Sequence, residues 1–238
     1  MLTVHNEYET ARKVAEGCGL ARFGDGECNI AWLQRPAFDN YDALLAERLR
    51  SIAHSDHDGL LIGMPDIFST AAKQRLCEPD FWRRFESLLC GKLDASRDYY
   101  STFFSRPDVC ARRDGVPITK SESAARVDPN YWKFATKIWD CRRICVVNFH
   151  PNLCRHPLFE NALNVEFIET PRRNAWRRYD KILHRCTALR PELYILSIGP
   201  VGTVLAHDLH LEGRWAIDFG QACRIWSEGR GDDMEDYY

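Results

Sequence analysis

The hydrophobic pattern is most regular in the second half of the chain. Four short apolar segments rich in Ile and Val follow one another there: RRICVVNFH, NVEFIETP, ELYILSIGP and RWAIDFG. Stretches of helical period follow the second and the third segment: WRRYDKILHRCTAL and VGTVLAHDLHLEG. Near-continuous apolar strands that alternate with helices are typical of a parallel sheet covered on both faces, with right-handed crossovers.

The pattern in the first half is more mixed and predicts shorter elements. Helices are predicted for residues 7–17, for residues 40–53 with Asn40 as the N-cap, and for residues 79–93. Strands are predicted for LARFGDGE, GLLIGMP and YYSTFFSRPD, the last of which ends at Pro107.

The length of 238 residues fits one large domain or two small ones. We expect a single α/β domain built on a Rossmann-like parallel sheet with helices on both faces. Residues from about 1 to 130 form its mixed half, and residues from about 131 to 225 form its regular half. Residues 226–238 are acidic, and we expect them to form a solvated tail.

Composition and charge exclude several classes of protein. Hydrophobic residues make up 45% and charged residues 28% of the chain, which is typical of globular proteins rather than disordered or fibrous ones. The formal net charge of −2 argues against a dedicated nucleic-acid or membrane-surface binder. No stretch approaches the ~18 apolar residues of a membrane-spanning helix, and the N-terminal residues lack the apolar region of a secretory signal.

The 10 cysteines are scattered along the chain and include no CxxC pair. The closest couple is Cys141 and Cys145, and no second Cys/His pair lies beside it at zinc-finger spacing. Reduced, mostly buried thiols explain this distribution better than disulfides or a zinc site do. We therefore expect a cytoplasmic protein.

The first candidate for chemistry is the segment Arg22-Phe-Gly24-Asp25-Gly26-Glu27, which directly follows a strand-like stretch. Its glycines allow a sharp turn, and in an extended or turn conformation the two carboxylates would point the same way. Such a pair suits Mg²⁺ or Mn²⁺, which would also bind substrate phosphates. An ordinary polar turn explains the same residues.

The second candidate is SIGPVGT, residues 197–203, which lies between a strand and a helix. A glycine-containing turn of this kind exposes backbone N–H groups at a helix N-terminus, where phosphate binds well. The segment is neither a GxGxxG fingerprint nor a Walker A loop. A tight connection that caps the helix is the alternative interpretation.

Several other polar residues lie at predicted strand ends. Arg106 follows the β-prone YYSTFFS, Arg172 and Arg173 follow NVEFIETP, and His150 ends RRICVVNFH. Arg at a strand end can bind phosphate through two hydrogen bonds, but an exposed Arg pair is also explained as a solvated surface. A single His is more often a hydrogen-bonded structural residue than a base.

Taken together, these segments resemble the bacterial GT-D-type glycosyltransferases. The resemblance covers most of the chain, in the family's order, and rests on RFGDGE, STFFSRP, IWDCRRICVV, ETPRRNAWRRYDKIL and LSIGPVGTVLAHDLHLEGRWAIDFG. It implies the GT-D architecture and an enzyme that uses nucleotide sugars to build surface polysaccharides or the sugar chains of glycoproteins.

The resemblance also implies roles for individual residues. The family's D-x-E motif falls on Asp25 and Glu27, which would hold Mn²⁺ or Mg²⁺ on the diphosphate. The positions that match its SR pair, its P-x-x-N-A segment and its Gly-Pro turn are Ser105, Arg106, Asn174, Gly199, Pro200 and Thr203. With the residues of the two turns described above, the predicted substrate-binding set also includes Arg22, Gly24, Gly26 and Gly202.

Two carboxylates are the predicted catalytic residues. Asp218 ends the strand after the Gly-Pro turn and would face the same crevice, because ligands of parallel sheets bind beyond the carboxyl ends of the strands. Glu228 is the nearest carboxylate in the segment where the family carries acidic residues. His150 and Glu169 are the reserve candidates for the base.

The leading hypothesis is a metal-dependent glycosyltransferase that moves a sugar from a UDP-sugar to a glycan or glycoprotein. The metal would neutralise charge on the leaving diphosphate, and a base would assist the acceptor hydroxyl. The alternatives are a metal-dependent phosphohydrolase or nucleotidyl transferase, and a non-catalytic domain that binds nucleotide sugars. The sequence leaves the sugar, the acceptor and the oligomeric state open, a homo-oligomer included.

Overall fold

The computed structural model describes residues 2–37, 39–110 and 120–231. The strands in these ranges are β1 Thr3–His5, β2 Gly19–Arg22, β3 Leu60–Met64, β4 Asp98–Ser101, β5 Arg143–Asn148, β6 Asn164–Glu169, β7 Leu193–Leu196 and β8 Ala216–Asp218. They form one sheet in the order β1-β4-β3-β2-β8-β7-β5-β6, in which every pairing is parallel. The predicted α/β class with a Rossmann-like parallel sheet is confirmed.

Helices cover both faces of this sheet. They are α1 Glu7–Ala15, α2 Asp25–Leu33, α3 Ala43–Ala53, α4 Thr70–Arg75, α5 Pro79–Cys90, α6 Lys120–Ala125, α7 Pro129–Ala135, α8 Tyr179–Ala188, α9 Pro200–Leu211 and α10 Ala222–Arg230. Among the described residues, no helix is long and apolar enough to cross a bilayer. All ten cysteines lie in the described ranges, and none of them forms a disulfide there.

The alternation of side chains along the strands divides the core into two layers. In β2, Ala21 packs into one apolar cluster with α2, α3, α5, α8 and α9, while Leu20 packs into the other with α1, α6, α7 and α10. The same alternation separates Val147 from Val146 in β5. Because successive side chains point to opposite faces, strands that are apolar throughout are buried on both sides.

The four apolar segments of the second half are β5 to β8, and the two helical stretches contain α8 and α9. The first half differs from its prediction at several boundaries. The strand predicted for YYSTFFSRPD ends at Ser101 and continues as a 3₁₀ turn, Thr102–Ser105. Helix α3 is capped by Asp42, which accepts the N–H groups of Leu44 and Leu45, and not by Asn40.

The segment predicted to be an acidic tail is helical where it is described. Residues 226–230 belong to α10, which packs against α6. Residues 232–238, which carry most of the acidic side chains of that segment, lie outside the described residues. Helix α10 therefore belongs to the domain and covers one face of the sheet.

Candidate active site

A cavity of about 520 Å³ lies at the edge of the sheet where the parallel strands end. Its walls are residues that end or follow six strands, namely β2, β4, β5, β6, β7 and β8. Asp39, Trp82 of α5 and Arg224 of α10 complete the lining. This is the edge at which open parallel sheets bind their ligands.

The Arg22 side chain joins three of these strand ends. Its Nε lies 3.6 Å from Oδ1 of Asp218, and its Nη1 donates to Oγ1 of Thr102 at 3.2 Å. Asp218 is 1% exposed, and it also accepts the N–H of Gly220 at 3.1 Å. The guanidinium therefore links the ends of β2, β4 and β8 in the wall of the cavity.

Two glycines make room for this guanidinium. Gly220 has φ +50°, and a Cβ there would lie 2.8 Å from Nη2 of Arg22. At Gly24, a Cβ would lie 3.0 Å from Nη1 of Arg22 and 3.1 Å from Oε2 of Glu27. A side chain at either position would displace groups that line the cavity.

The two carboxylates of the D-x-E motif lie in the first turn of a helix, and the expected extended or turn conformation is wrong. Gly24 is the N-cap of α2, and Glu27 is its third residue. Residues two apart on a helix lie about 200° around its axis, so their side chains do not point the same way. Both carboxylates nevertheless line the cavity, because the Glu27 side chain folds back to accept the N–H of Gly24 at 2.7 Å.

The environments of these two carboxylates differ. Asp25 is exposed, whereas Glu27 is 2% exposed. Burial raises the pKa of Glu27 to about 7, although the charge of Arg22 acts in the opposite direction. A cation that binds beside Glu27 would favour its ionised form.

The residues of α2 fit a divalent cation that takes much of its coordination from a substrate. Asp25 and Glu27 supply hard carboxylate oxygens in one wall. In the described part of the chain, no group of three or more His, Cys, Asp or Glu side chains is arranged to hold a metal. A cation here would therefore complete its coordination with phosphate oxygens and water, as Mg²⁺ commonly does.

The Gly-Pro turn reaches the cavity only at its beginning. Ser197 and Gly199 line the cavity, and Gly199 is the N-cap of α9 with φ +63°. Pro200 and Thr203 are buried within α9 and do not line it. Gly202 also lies outside the wall, and a Cβ there would contact the carboxylate of Asp218 at 3.4 Å.

Neither predicted base lies in the cavity wall. Asp218 is enclosed by Arg22, Gly202 and Thr203, whose Oγ1 lies 3.3 Å from its Oδ2. Glu228 forms an ion pair with Arg224 of the same helix at 2.9 Å, and Arg224 is the member of that pair that lines the cavity. Each of the two carboxylates thus contacts an arginine of the cavity wall and does not line the cavity itself.

The remaining predicted residues divide between the cavity wall and its support. Arg106 lines the cavity, and it donates two hydrogen bonds to Asp108 at 2.8 and 2.7 Å. Ser105 is fully buried and donates to the carbonyl of Thr102. Asn174 does not line the cavity, but its Oδ1 accepts the N–H of Asn40 at 2.8 Å.

The reserve candidates for the base also lie outside the wall. His150 follows the lining residue Phe149, and Glu169 is exposed at the end of β6. Asn148 was not predicted from the sequence, but it lines the cavity and donates to the carbonyl of Ser197 at 2.6 Å. It stands at the end of a predicted strand, and that position is the sequence feature that could have indicated it as a site residue.

Asp39 is a further polar lining residue that no sequence pattern indicated. Its carboxylate is 2% exposed and accepts the N–H of Trp176 at 3.0 Å. Burial raises its pKa. Asp39 lies in a loop with no recognisable motif, so only the tertiary contact with the segment after β6 reveals it.

The chain matches the family described as Glycosyltransferase GT-D fold over residues 20–225. It is 27% identical over 212 residues to the probable glycosyl transferase Gly of Streptococcus gordonii, with 86% of this chain and 30% of that protein covered. It is 23% identical over 221 residues to the glycosyltransferase GlyD of Streptococcus pneumoniae serotype 4, with 87% and 25% covered. The chain thus spans less than a third of the length of these relatives.

Solved structures show the same architecture. A structure described as the highly conserved domain of unknown function 1792, with a distinct glycosyltransferase fold, superimposes with a TM-score of 0.81. It is 26% identical, and 97% of this chain and 83% of that chain are covered. A glycosyltransferase of Streptococcus sanguinis, 24% identical, has the same fold with a TM-score of 0.80 and coverages of 98% and 86%.

Proposed function

The chain belongs to the Glycosyltransferase GT-D fold family, and on that premise we propose that it transfers a sugar from a nucleotide sugar to a glycan or glycoprotein. The observation that carries this proposal is the cavity at the carboxyl edge of the sheet, in which carboxylates of α2 lie with several arginines. Its volume of about 520 Å³ is within the usual range for small-molecule sites. UDP is the nucleotide of the leading hypothesis from the sequence.

The backbone supports binding of a diphosphate. The N-caps of α2 and α9, Gly24 and Gly199, both line the cavity. Unpaired N–H groups and the helix dipole favour anions at such positions. An enzyme that releases a nucleoside diphosphate must stabilise the negative charge that develops on it, and preorganised donors supply that stabilisation.

We further propose that Asp25 and Glu27 hold Mn²⁺ or Mg²⁺ in the transfer reaction. Their carboxylate oxygens and the cavity they share fit a hard cation, as described above. When bound, the cation supplies Lewis-acid stabilisation of the leaving diphosphate. In the free protein, Glu27 retains its second role as the residue that accepts the N–H of Gly24 and fixes the start of α2.

For the base we propose Asp39 in place of Asp218 and Glu228. Asp25, Glu27 and Asp39 are the carboxylates of the described residues that line the cavity, and the first two are assigned to the cation. One oxygen of Asp39 is held by the N–H of Trp176, which fixes the side chain. Its raised pKa suits a group that accepts a proton from an acceptor hydroxyl.

A screen of nucleotide sugars with Mn²⁺, read as nucleotide released with and without glycan acceptors, tests this function. We expect release of the nucleoside diphosphate that requires both an acceptor and the metal. Asp25→Asn should abolish it, whereas Asp80→Asn, which removes the same charge from an exposed site on α5, should not.

The screen also separates the alternatives. Full activity of Asp25→Asn, or activity that persists in excess EDTA, would overturn the metal assignment. Phosphate products that appear without any acceptor would favour a phosphohydrolase or nucleotidyl transferase. Binding of nucleotide sugars without turnover over a broad acceptor panel would favour a non-catalytic domain.

A further inference from the structure

Five arginines line the cavity, and three of them are paired with carboxylates. Nε of Arg22 lies 3.6 Å from Asp218. Arg106 donates from Nε and Nη2 to both oxygens of Asp108. Arg224 pairs with Glu228 at 2.9 Å. These partners offset the three charges and occupy part of their hydrogen-bonding capacity.

The other two, Arg172 and Arg173, are not paired in this way. Within the described residues, neither side chain has a carboxylate within ion-pair distance or a hydrogen bond to the protein. Both are exposed at the cavity wall, on the segment that follows β6. No carboxylate of the described residues pairs with these two charges, so they are the uncompensated part of the cavity's positive charge.

The segment that carries these arginines is held in place by the loop that contains Asp39 and Asn40. Asn174, with φ +55°, accepts the N–H of Asn40, and the N–H of Trp176 binds Asp39. The guanidinium of Arg172 lies over the ring of Phe149, 5.5 Å from its centroid, which is within range of a cation–π contact. These contacts restrain the backbone directly after the pair and the guanidinium of Arg172, so the two side chains leave a fixed part of the cavity wall.

We propose that Arg172 and Arg173 bind the diphosphate of the nucleotide sugar. This assignment rests on the proposed function, which supplies the anion. Each guanidinium offers a planar fork of donors that matches two phosphate oxygens, and two adjacent forks match two phosphates. The sequence predicts that Arg106 binds the phosphates. We assign most of this phosphate binding to Arg172 and Arg173 instead, because Asp108 already accepts hydrogen bonds from two of the Arg106 donors.

The test measures binding by calorimetry with UDP, with inorganic pyrophosphate and with uridine, in EDTA and in Mn²⁺. The variant is Arg172→Gln/Arg173→Gln. Its matched control is Arg177→Gln/Arg178→Gln, which removes a second exposed Arg pair from the same segment, outside the cavity wall. We expect the cavity variant to bind UDP and pyrophosphate at least tenfold more weakly, with unchanged uridine binding and melting temperature, and the control to match wild type.

Conservative substitution supplies a second readout. Arg172→Lys/Arg173→Lys keeps both charges but loses the planar forks, so it should recover part of the lost affinity and not all of it. Equal affinities of wild type and the Gln variant for UDP and pyrophosphate would overturn the assignment. A loss confined to the KM of an acceptor would also overturn it, and would assign the pair to an anionic group of the acceptor.

The outcomes distinguish this inference from the proposed function. If wild type binds pyrophosphate through the Arg pair but transfers no sugar from any donor, the anion site stands and the transferase proposal fails. If wild type transfers sugar and the Gln variant does so with unchanged affinity for the donor, the transferase proposal stands and the diphosphate site lies elsewhere. If wild type binds neither UDP nor pyrophosphate, the diphosphate site fails, and the donor screen alone decides the transferase proposal.

Discussion

Nε of Arg22 lies 3.6 Å from Oδ1 of Asp218, and this pair connects the carboxyl ends of the two central strands, β2 and β8. Both side chains are largely withdrawn from water, with exposures of 13% and 1%. The pair presents the Arg22 guanidinium to the cavity while Asp218 remains behind the wall. The position of Asp218 explains why a strand-end carboxylate can matter here without touching a substrate.

Asp218→Asn should therefore reduce chiefly the free energy of unfolding. It leaves the buried Arg22 guanidinium without its nearest counter-charge. The expected loss is about 1–3 kcal/mol, the usual cost of an unpaired buried polar group, because burial, which raises the pKa of Asp218, already disfavours its ionised form. Chemical denaturation measures the change in the free energy of unfolding. Glu192→Gln is the matched control, because it breaks an exposed pair with the same 3.6 Å separation from Arg143, for which a loss below about 1 kcal/mol is expected.

A different result would identify Asp218 as the base. In that case Asp218→Asn would lose turnover while its unfolding free energy stayed close to that of wild type.

Gly220→Ala should displace the Arg22 guanidinium, because the new Cβ would lie 2.8 Å from Nη2. Gly213→Ala is its control, since Gly213 also has a positive φ, +69°, but no atom lies within 4 Å of its Cβ position. Both variants should lose about 1–3 kcal/mol of stability from backbone strain. Turnover should fall at least tenfold only in Gly220→Ala, and equal turnover in the two variants would contradict the role of Arg22 in the site.

The raised pKa of Glu27 predicts a pH-dependent stability. Its ordinary value is 4.5 and its folded value is about 7, so between these pH values the folded state holds a proton that the unfolded state has lost. The free energy of unfolding should then decrease as the pH rises through this window. Burial also raises the pKa of Asp218, which acts in the same direction.

Glu27→Gln should flatten this dependence, measured by denaturation in EDTA from pH 5 to pH 8. A Gln side chain can still accept the N–H of Gly24, so the start of α2 is preserved. The same slope in wild type and Glu27→Gln would show that Glu27 is not the titrating group.

Asp39→Asn should reduce kcat by about a hundredfold or more, as loss of a general base does. The Asn oxygen can still accept the N–H of Trp176, so the Kd for UDP and the melting temperature should stay near those of wild type. Steady-state kinetics combined with calorimetry separate these quantities. A wild-type kcat in Asp39→Asn would exclude it as the base, and a large drop in melting temperature would assign it a structural role.

Much of the sheet could be predicted from the sequence because its strands are apolar on both faces. The segments RRICVVNFH and ELYILSIGP are apolar enough to require a place between two other strands of a covered sheet, which is where β5 and β7 lie. Strand β1 has three residues and pairs with β4 alone, so its pattern is too short to recognise. The helical start of α2 had a signal in the Gly24 N-cap and the Glu27 that follows three residues later.

The site could be predicted only where it follows strand ends. Asp25, Arg106 and Gly199 line the cavity as the strand-end rule requires. Asp39 enters the site through its contact with Trp176, 137 residues further along the chain, and no local pattern encodes that contact. The strand-end rule puts Asp218 at the edge of the sheet that holds the cavity, but its burial behind Arg22 depends on the packing of three separate strand ends.

Transfer of a sugar by this cavity is measured most directly as the mass of the acceptor after incubation with a UDP-sugar and Mn²⁺. We expect each molecule of UDP released to be matched by one acceptor that has gained the mass of one sugar. Neither product should form with Asp25→Asn, while Asp80→Asn should give both. Nucleotide or phosphate released without any gain in acceptor mass, over a broad panel of donors and acceptors, would show that the protein is not a glycosyltransferase.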